Sequence, residues 1–267
     1  MKSILLTNDD GIDAEGLNAL RNELRCIAHV LVVAPEQNRS AISHGLTIHT
    51  RLKCEETGPD RFSLNGTPAD CVIYALNKLF INPPDLVISG INHGSNLGND
   101  LMYSGTVAAA REASRCGIPA IAVSQEYVDG EKIRFNEGIK LIMDMATTML
   151  QNGFHGELLL NVNIPAGKIK GIKITRQGYT EHIKHFGVPE SKGSSPLHDP
   201  LKLFGIPESK GNSSLHDSLI FLKNELCTDE IAVSESYVSI TPLRRDQTDY
   251  FDAQSLMKSV DQFFGKS

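Results

Sequence analysis

Four polar stretches in this sequence each follow a short apolar run, and most of their side chains are oxygen donors. Asn8-Asp9-Asp10-Gly11 follows the run Ser3 to Thr7. Pro35 to Gly45 follows Val30 to Ala34 and carries Asn38, Arg39, Ser40 and Ser43. Gly90 to Gly98 follows Leu86 to Ser89 and carries Asn92, His93, Ser95 and Asn96, and Ser124-Gln125-Glu126 closes Ala120 to Ser124. Carboxylates, amides and hydroxyls brought together in this way suit a hard divalent cation such as Mg²⁺ or Mn²⁺, with water filling the remaining positions. They do not suit structural zinc, which takes Cys and His. The alternative for Asp9-Asp10-Gly11 is a plain turn that closes a strand, and both readings stand at this point.

Other stretches are read against similar alternatives. Gly90, Gly94 and Gly98 recur at every fourth position; they either let backbone approach a ligand closely or make a flexible connection. The spacing is neither a dinucleotide fingerprint nor a phosphate loop with its lysine. Tyr103-Ser104-Gly105-Thr106 opens a helical pattern whose free N–H groups favour an anion, unless Ser104 or Thr106 simply caps it. An anion site beside a divalent cation is what phosphoryl chemistry needs. His44 and His93 lie in these loops. No serine has the surroundings of a hydrolase nucleophile elbow.

Such loops converge only if their apolar runs lie side by side. The runs Ser3–Thr7, Val30–Ala34, Leu86–Ser89, Ala120–Ser124 and Leu158–Val162 are apolar on both faces, as strands of a covered parallel sheet are. Leu17–Leu24, Ala69–Leu79, Val107–Ser114 and Ile133–Leu150 have helical spacing. The alternation predicts an α/β sheet with right-handed crossovers, whose ligands sit outside the carboxyl ends of the strands. Thr67-Pro68 marks one helix start and Gly117 one helix end.

Composition narrows the function classes. The chain has 267 residues and a formal net charge of −6, without the basic footprint of a nucleic-acid binder. No apolar run is long enough for a membrane span. The five cysteines, Cys26, Cys54, Cys71, Cys116 and Cys227, are odd in number and lack C-x-x-C spacing, which fits a reducing, cytoplasmic setting. Cys71 and Cys116 read as small core residues.

Residues 171 to 241 change character. Ile172 to Thr175 and Tyr237 to Thr241 read as strands. Between them, FGVPESKGSSPLHDPLKL at 186–203 is followed by FGIPESKGNSSLHDSLIF at 204–221, with twelve of eighteen positions identical. Pro, Gly and Ser dominate, so this reads as an insert of loops or an extended arm. Ala253 to Phe264 reads as a terminal helix.

Six segments together resemble the SurE family. They are LLTNDDGI at Leu5–Ile12, the A-P-x-x-x-R-S pattern at Ala34–Ser40, GTPADCV at Gly66–Val72, SGINHGSNLG at Ser89–Gly98, YSGTVAAA at Tyr103–Ala110 and YVSITPLRRDQT at Tyr237–Thr248. The resemblance covers about residues 1 to 180 and 228 to 264. It implies a Rossmann-like, three-layer, mostly parallel sheet with helices on both faces, plus a C-terminal β-hairpin and helix extension. It implies one domain over 1–267, with core 1–180 and 226–267 and an insert at 181–225. It implies a metal-dependent phosphatase acting on nucleoside 5′-monophosphates, with 3′-nucleotides and short polyphosphate as further substrates. Asp9, Asp10, Ser40 and Asn92 match the ligands of one Mg²⁺ or Mn²⁺ per subunit. Asn96, Ser104, Gly105 and Thr106 match residues beside the substrate phosphate. Asp9 or Asp10 would then be general base, nucleophile or ligand only. A homodimer or homotetramer with exchanged C-terminal segments is also implied. The doubled repeat departs from the family, whose loop there is usually shorter. The rival classes are a receiver-like signalling module and a nucleotide-binding module without turnover.

Overall fold

The computed structural model of the chain describes residues 1–128, 130–153, 158–179 and 226–248. The elements run β1 (Ser3–Thr7), α1 (Glu15–Leu24), β2 (His29–Pro35), β3 (Cys54–Gly58), β4 (Arg61–Leu64), α2 (Pro68–Tyr74), β5 (Leu86–His93), α3 (Gly105–Arg115), β6 (Ala120–Gln125), α4 (Asn136–Asn152), β7 (Leu159–Ile164), β8 (Gly171–Ile174), α5 (Asp229–Ser234) and β9 (Tyr237–Pro242). A π turn, Ala75–Leu79, continues α2, and a short 3₁₀ turn, Gly98–Met102, precedes α3.

All nine strands form one sheet in the order β3-β4-β2-β1-β5-β6-β7-β9-β8. From β4 to β7 every pairing is parallel, so the loops after β1, β2, β5 and β6 emerge on one edge. The β3–β4 and β7–β9 pairs are antiparallel. Alternation along β1 sends Ile4 and Leu6 into one core, with residues of α1 and α4. It sends Leu5 into a second core with residues of α2 and α3. Helices therefore cover both faces, as the alternating pattern predicts.

Local chemistry sets the helix starts that matter for function. Thr67 caps α2 by accepting from Asp70 N–H, and the Asp70 carboxylate accepts from Thr67 N–H at 2.9 Å, a reciprocal capping box with Pro68 at the first turn. Ser104 caps α3 by accepting from Val107 N–H at 3.1 Å. Gly117, at φ +77°, follows the end of α3, as read from the sequence.

Three expectations change, and one strand read from the sequence gains its place in the sheet. Cys71 is buried, but Cys116 is exposed at the C-cap of α3, where the helix leaves the core. The fourth helix starts at Asn136, because Ile133 belongs to the preceding loop. The strand after Leu86 runs on to His93 through an irregularity between Ser89 and Asn92. The strand Tyr237–Pro242 lies inside the main sheet, between β7 and β8. The repeat at 186–221 and the terminal helix at 253–264 lie outside the described residues. No helix among the described residues is long and apolar enough to cross a membrane.

Candidate active site

The strand-end loops meet through direct hydrogen bonds. The first loop is closed by Asn8, whose amide donates to Gly11 O at 2.9 Å and whose Oδ1 accepts from Gly11 N–H at 3.2 Å. Asp9 and Asp10 are held between these two residues. Arg39 N–H donates to Asp9 O at 2.7 Å and brings the second loop against β1. His93 N–H donates to Asp10 Oδ2 at 3.1 Å and brings in the end of β5. The Thr106 hydroxyl donates to Asp9 Oδ1.

Gly105 permits that last contact. A Cβ built on it would lie 2.8 Å from Asp9 Cβ and 2.9 Å from Asp9 Oδ2, so only glycine lets the N-terminus of α3 press onto the carboxylate. Gly90 has a different role. Its φ is +140° and a Cβ there would meet Val123 O at 2.4 Å, so it serves packing between β5 and β6.

Asp9 is buried, and no Lys, Arg or His forms a salt bridge with Asp9 or Asp10 among the described residues. Burial pushes the Asp9 carboxyl up to about 6; the Thr106 hydroxyl opposes this, and the neighbouring charge of Asp10 adds to it. Burial also raises Asp10, against the pull of His93 N–H. A buried carboxylate beside a half-buried one, without a cationic partner among the described residues, fits a divalent cation, and its donors are hard oxygens. Among the described residues no cluster of three or more His, Cys, Asp or Glu has the makings of a metal site. A cation here therefore depends on mixed donors. Ser40 and Asn92 supply such atoms. Ser40 is exposed on its loop, its N–H bonded to Asn38 Oδ1 at 2.8 Å. Asn92 turns its amide N–H to Gly94 O at 2.8 Å, so its Oδ1 is the atom a cation would take.

The residues matched to phosphate binding separate. Ser104, Gly105 and Thr106 stand beside Asp9. Ser104 Oγ accepts from Val107 N–H and keeps its own O–H to donate, whereas the Thr106 hydroxyl is committed to Asp9. Asn96 is tied further along the edge. Its N–H donates to Asn163 Oδ1 at 2.8 Å and its amide to Ser124 Oγ at 2.7 Å, and its carbonyl accepts from Asn161 and Asn163. The sequence reading missed this buried network, although two asparagines in the apolar run of β7 signal it. It also missed Asp229, whose carboxylate accepts from Gly98 N–H at 3.0 Å and Gly178 N–H at 2.8 Å and so fixes the end of the glycine loop. His44 pairs with Glu112 at 3.0 Å, and His93 stands edge-on to Tyr127. A cleft of about 430 Å³ opens beside Asp10, bordered by Asn38, Ile91, His93, Lys132 and Phe135.

Residues 4–184, which supply nearly all of this edge, match the family model described as Survival protein SurE. The chain belongs to the SurE family. It is similar over almost its whole length to proteins named 5′-nucleotidase SurE. The one from Pelotomaculum thermopropionicum is 41% identical over 260 residues, 96% of this chain and 94% of the relative. The one from Haemophilus influenzae is 38% identical over 266 residues, 98% and 99% respectively. The crystal structure of a SurE protein from Aquifex aeolicus matches with a TM-score of 0.73 at 37% identity, covering 98% of this chain and 99% of that one. The α/β sheet is thus the SurE architecture.

Proposed function

We propose that this SurE-family chain is a phosphoric monoester hydrolase that releases phosphate from nucleoside 5′-monophosphates with the help of one divalent cation. The observation that carries the reading is the buried Asp9 beside Asp10, lacking a cationic partner among the described residues and pressed against the start of α3. The names of the relatives support the substrate class. Asp9, Asp10, Ser40 and Asn92 would hold the cation, Mg²⁺ or Mn²⁺. When bound, the cation supplies Lewis-acid charge beside the phosphoryl oxygens.

The protein's own groups do the rest. The O–H of Ser104 and the N–H of Gly105 donate to phosphoryl oxygens at the positive end of α3, where negative charge grows in the transition state. Thr106 acts through Asp9, whose orientation it fixes. One carboxylate, Asp9 or Asp10, would serve as general base instead of only as ligand, taking the proton of the attacking water and passing it to the departing oxygen. Asn96 lines the edge beyond, held by Asn163 and Ser124. On family resemblance the reading extends to 3′-nucleotides and short polyphosphate, and no contact named here is to the base.

On family resemblance the chain works in the cytoplasm as a homodimer or homotetramer. The exchanged segment would fall on residues outside those described. One domain interrupted by an insert at 181–225 is supported by β8 and β9, which flank the insert and pair in parallel.

Phosphate release from 5′- and 3′-nucleoside monophosphates and tripolyphosphate, with Mg²⁺, Mn²⁺ or EDTA, tests the reading. Metal-dependent turnover lost in Asp9→Asn is the expected result. Folded protein without turnover under any metal would leave a binding module.

A further inference from the structure

The loop Glu36–Thr47 holds an unusual backbone. Ala41 and Ser43, neither of them glycine, sit at φ +58° and +55° on either side of Ile42. Non-glycine residues stay in that region when their surroundings over-determine them. The surroundings here are two buried carboxylates on different helices. Asp70, in the first turn of α2, accepts from Thr47 N–H at 3.2 and 3.1 Å, and its capping partner Thr67 donates its hydroxyl to Gly45 O at 2.7 Å. Glu112, inside α3, holds His44 Nε2 at 3.0 Å through one oxygen. Its other oxygen receives Arg115 Nε at 3.0 Å and Nη2 at 2.6 Å. His44 and Arg115 together hold the Glu112 carboxyl down to about 2, so it stays charged across the working pH range. A fifth tie, Ser43 N–H to Tyr103 O at 2.9 Å, joins the loop to the residue before the α3 cap.

None of these groups touches Asp9 or Asp10. What they fix is the stretch from Ser43 to Thr47, which follows Ser40 by three residues. We propose that the His44–Glu112 pair and Asp70 are positioning residues, which clamp this strained loop so that Ser40 is presented to the cation site before any cation arrives. The inference rests on the nucleotidase reading and deepens it. Cation affinity would then depend on side chains that never meet the cation, because an unclamped loop must be ordered again at each binding event.

His44 is the residue to change, since its side chain is 37% exposed and lies in a loop. His44→Ala in the full chain is expected to bind Mn²⁺ about tenfold more weakly by calorimetry. In the metal-free protein, the Ser43 and Thr47 amides should exchange faster with solvent than in wild type. His44→Gln, which can still donate to Glu112, should restore both. A lowered melting temperature with wild-type Mn²⁺ affinity and amide exchange would mean an ordinary structural contact and would overturn the proposal. Wild-type protein that takes up no Mn²⁺ would instead overturn the nucleotidase reading, and this inference with it.

Discussion

Removing the Asp9 charge should make the metal-free protein more stable. The sign follows from the acidity of Asp9, raised from the ordinary 3.8 to about 6 by burial. Below pH 3.8 the carboxyl is protonated in both folded and unfolded chains and costs nothing. As pH rises toward 6 the unfolded chain ionises freely while the folded one resists, so stability drains away and the loss is complete by about pH 7. At about 1.4 kcal/mol per pKa unit the full loss is about 3 kcal/mol. Asp9→Asn escapes it. The amide oxygen can still accept from Thr106, but the new N–H₂ needs an acceptor it lacks, which takes back about 1 kcal/mol. The net gain is about 2 kcal/mol, or on the order of 4 °C or more in melting temperature for a chain of this size. Urea denaturation of both proteins in EDTA should therefore show a gap that is small at pH 4 and widens to a plateau by pH 7. Adding Mn²⁺ at a hundredfold excess over its Kd stabilises wild type by about 2.7 kcal/mol and leaves the variant unmoved, so the ranking reverses. Asp9→Asn less stable than wild type in EDTA at pH 7.5, or a gap that ignores pH, would refute the argument.

Three further substitutions probe the same edge. Gly105→Ala places a Cβ 2.8 Å from Asp9 Cβ and must push α3 or the carboxylate aside; a stability loss of about 1–3 kcal/mol with a much larger loss of phosphate release is expected, and near-normal turnover would mean the contact is slack. Thr106→Val removes the hydroxyl that holds Asp9 down, so Asp9 should rise further and, in EDTA, the variant should lose more stability than wild type between pH 4 and pH 7; an equal loss would mean that the hydroxyl does not control Asp9. Asp229→Asn keeps one acceptor for the N–H groups of Gly98 and Gly178 and loses the other; urea melts should show a loss of about 1–3 kcal/mol, and an unchanged midpoint would mean that water replaces the lost bond.

What the sequence made legible has a physical logic. The strands β1, β2, β5, β6 and β7 are apolar on both sides because helices cover both faces, so each stands out as an uninterrupted run. The hairpin β3–β4 was not seen, because β3 is an edge strand reading CEETG that is mostly exposed, and neither composition nor alternation marks it. The strand-end position of Asp9 and Asp10 was readable once β1 was placed. The commitment of the Thr106 hydroxyl to Asp9 was not, because it joins residues far apart in sequence whose approach depends on how closely α3 packs. Cys116 misled for a related reason. Helical spacing fixes the face a residue takes, but not where the helix leaves the core.

The turn reading of Asn8-Asp9-Asp10-Gly11 holds, and it leaves the proposed ligand pair free of the turn. A turn needs side-chain bonding to its own backbone, and Asn8 provides it through both ends of its amide to Gly11, which at φ +105° completes the reversal. Neither carboxylate is needed to make the turn, so both are left for other work. Successive residues at a strand end face opposite sides of the sheet. Asp9 falls on the face of α3, where Gly105 and Thr106 receive it, and is almost fully buried. Asp10 falls on the face of α1, where it borders the cleft with Ile91 and Phe135 and accepts from His93 N–H. A single carboxylate could touch one face only. Two in succession put one oxygen pair against the positive end of a helix and another beside an open cleft. The edge of the sheet runs between them, and on the function proposed above that is where a cation would sit to reach both.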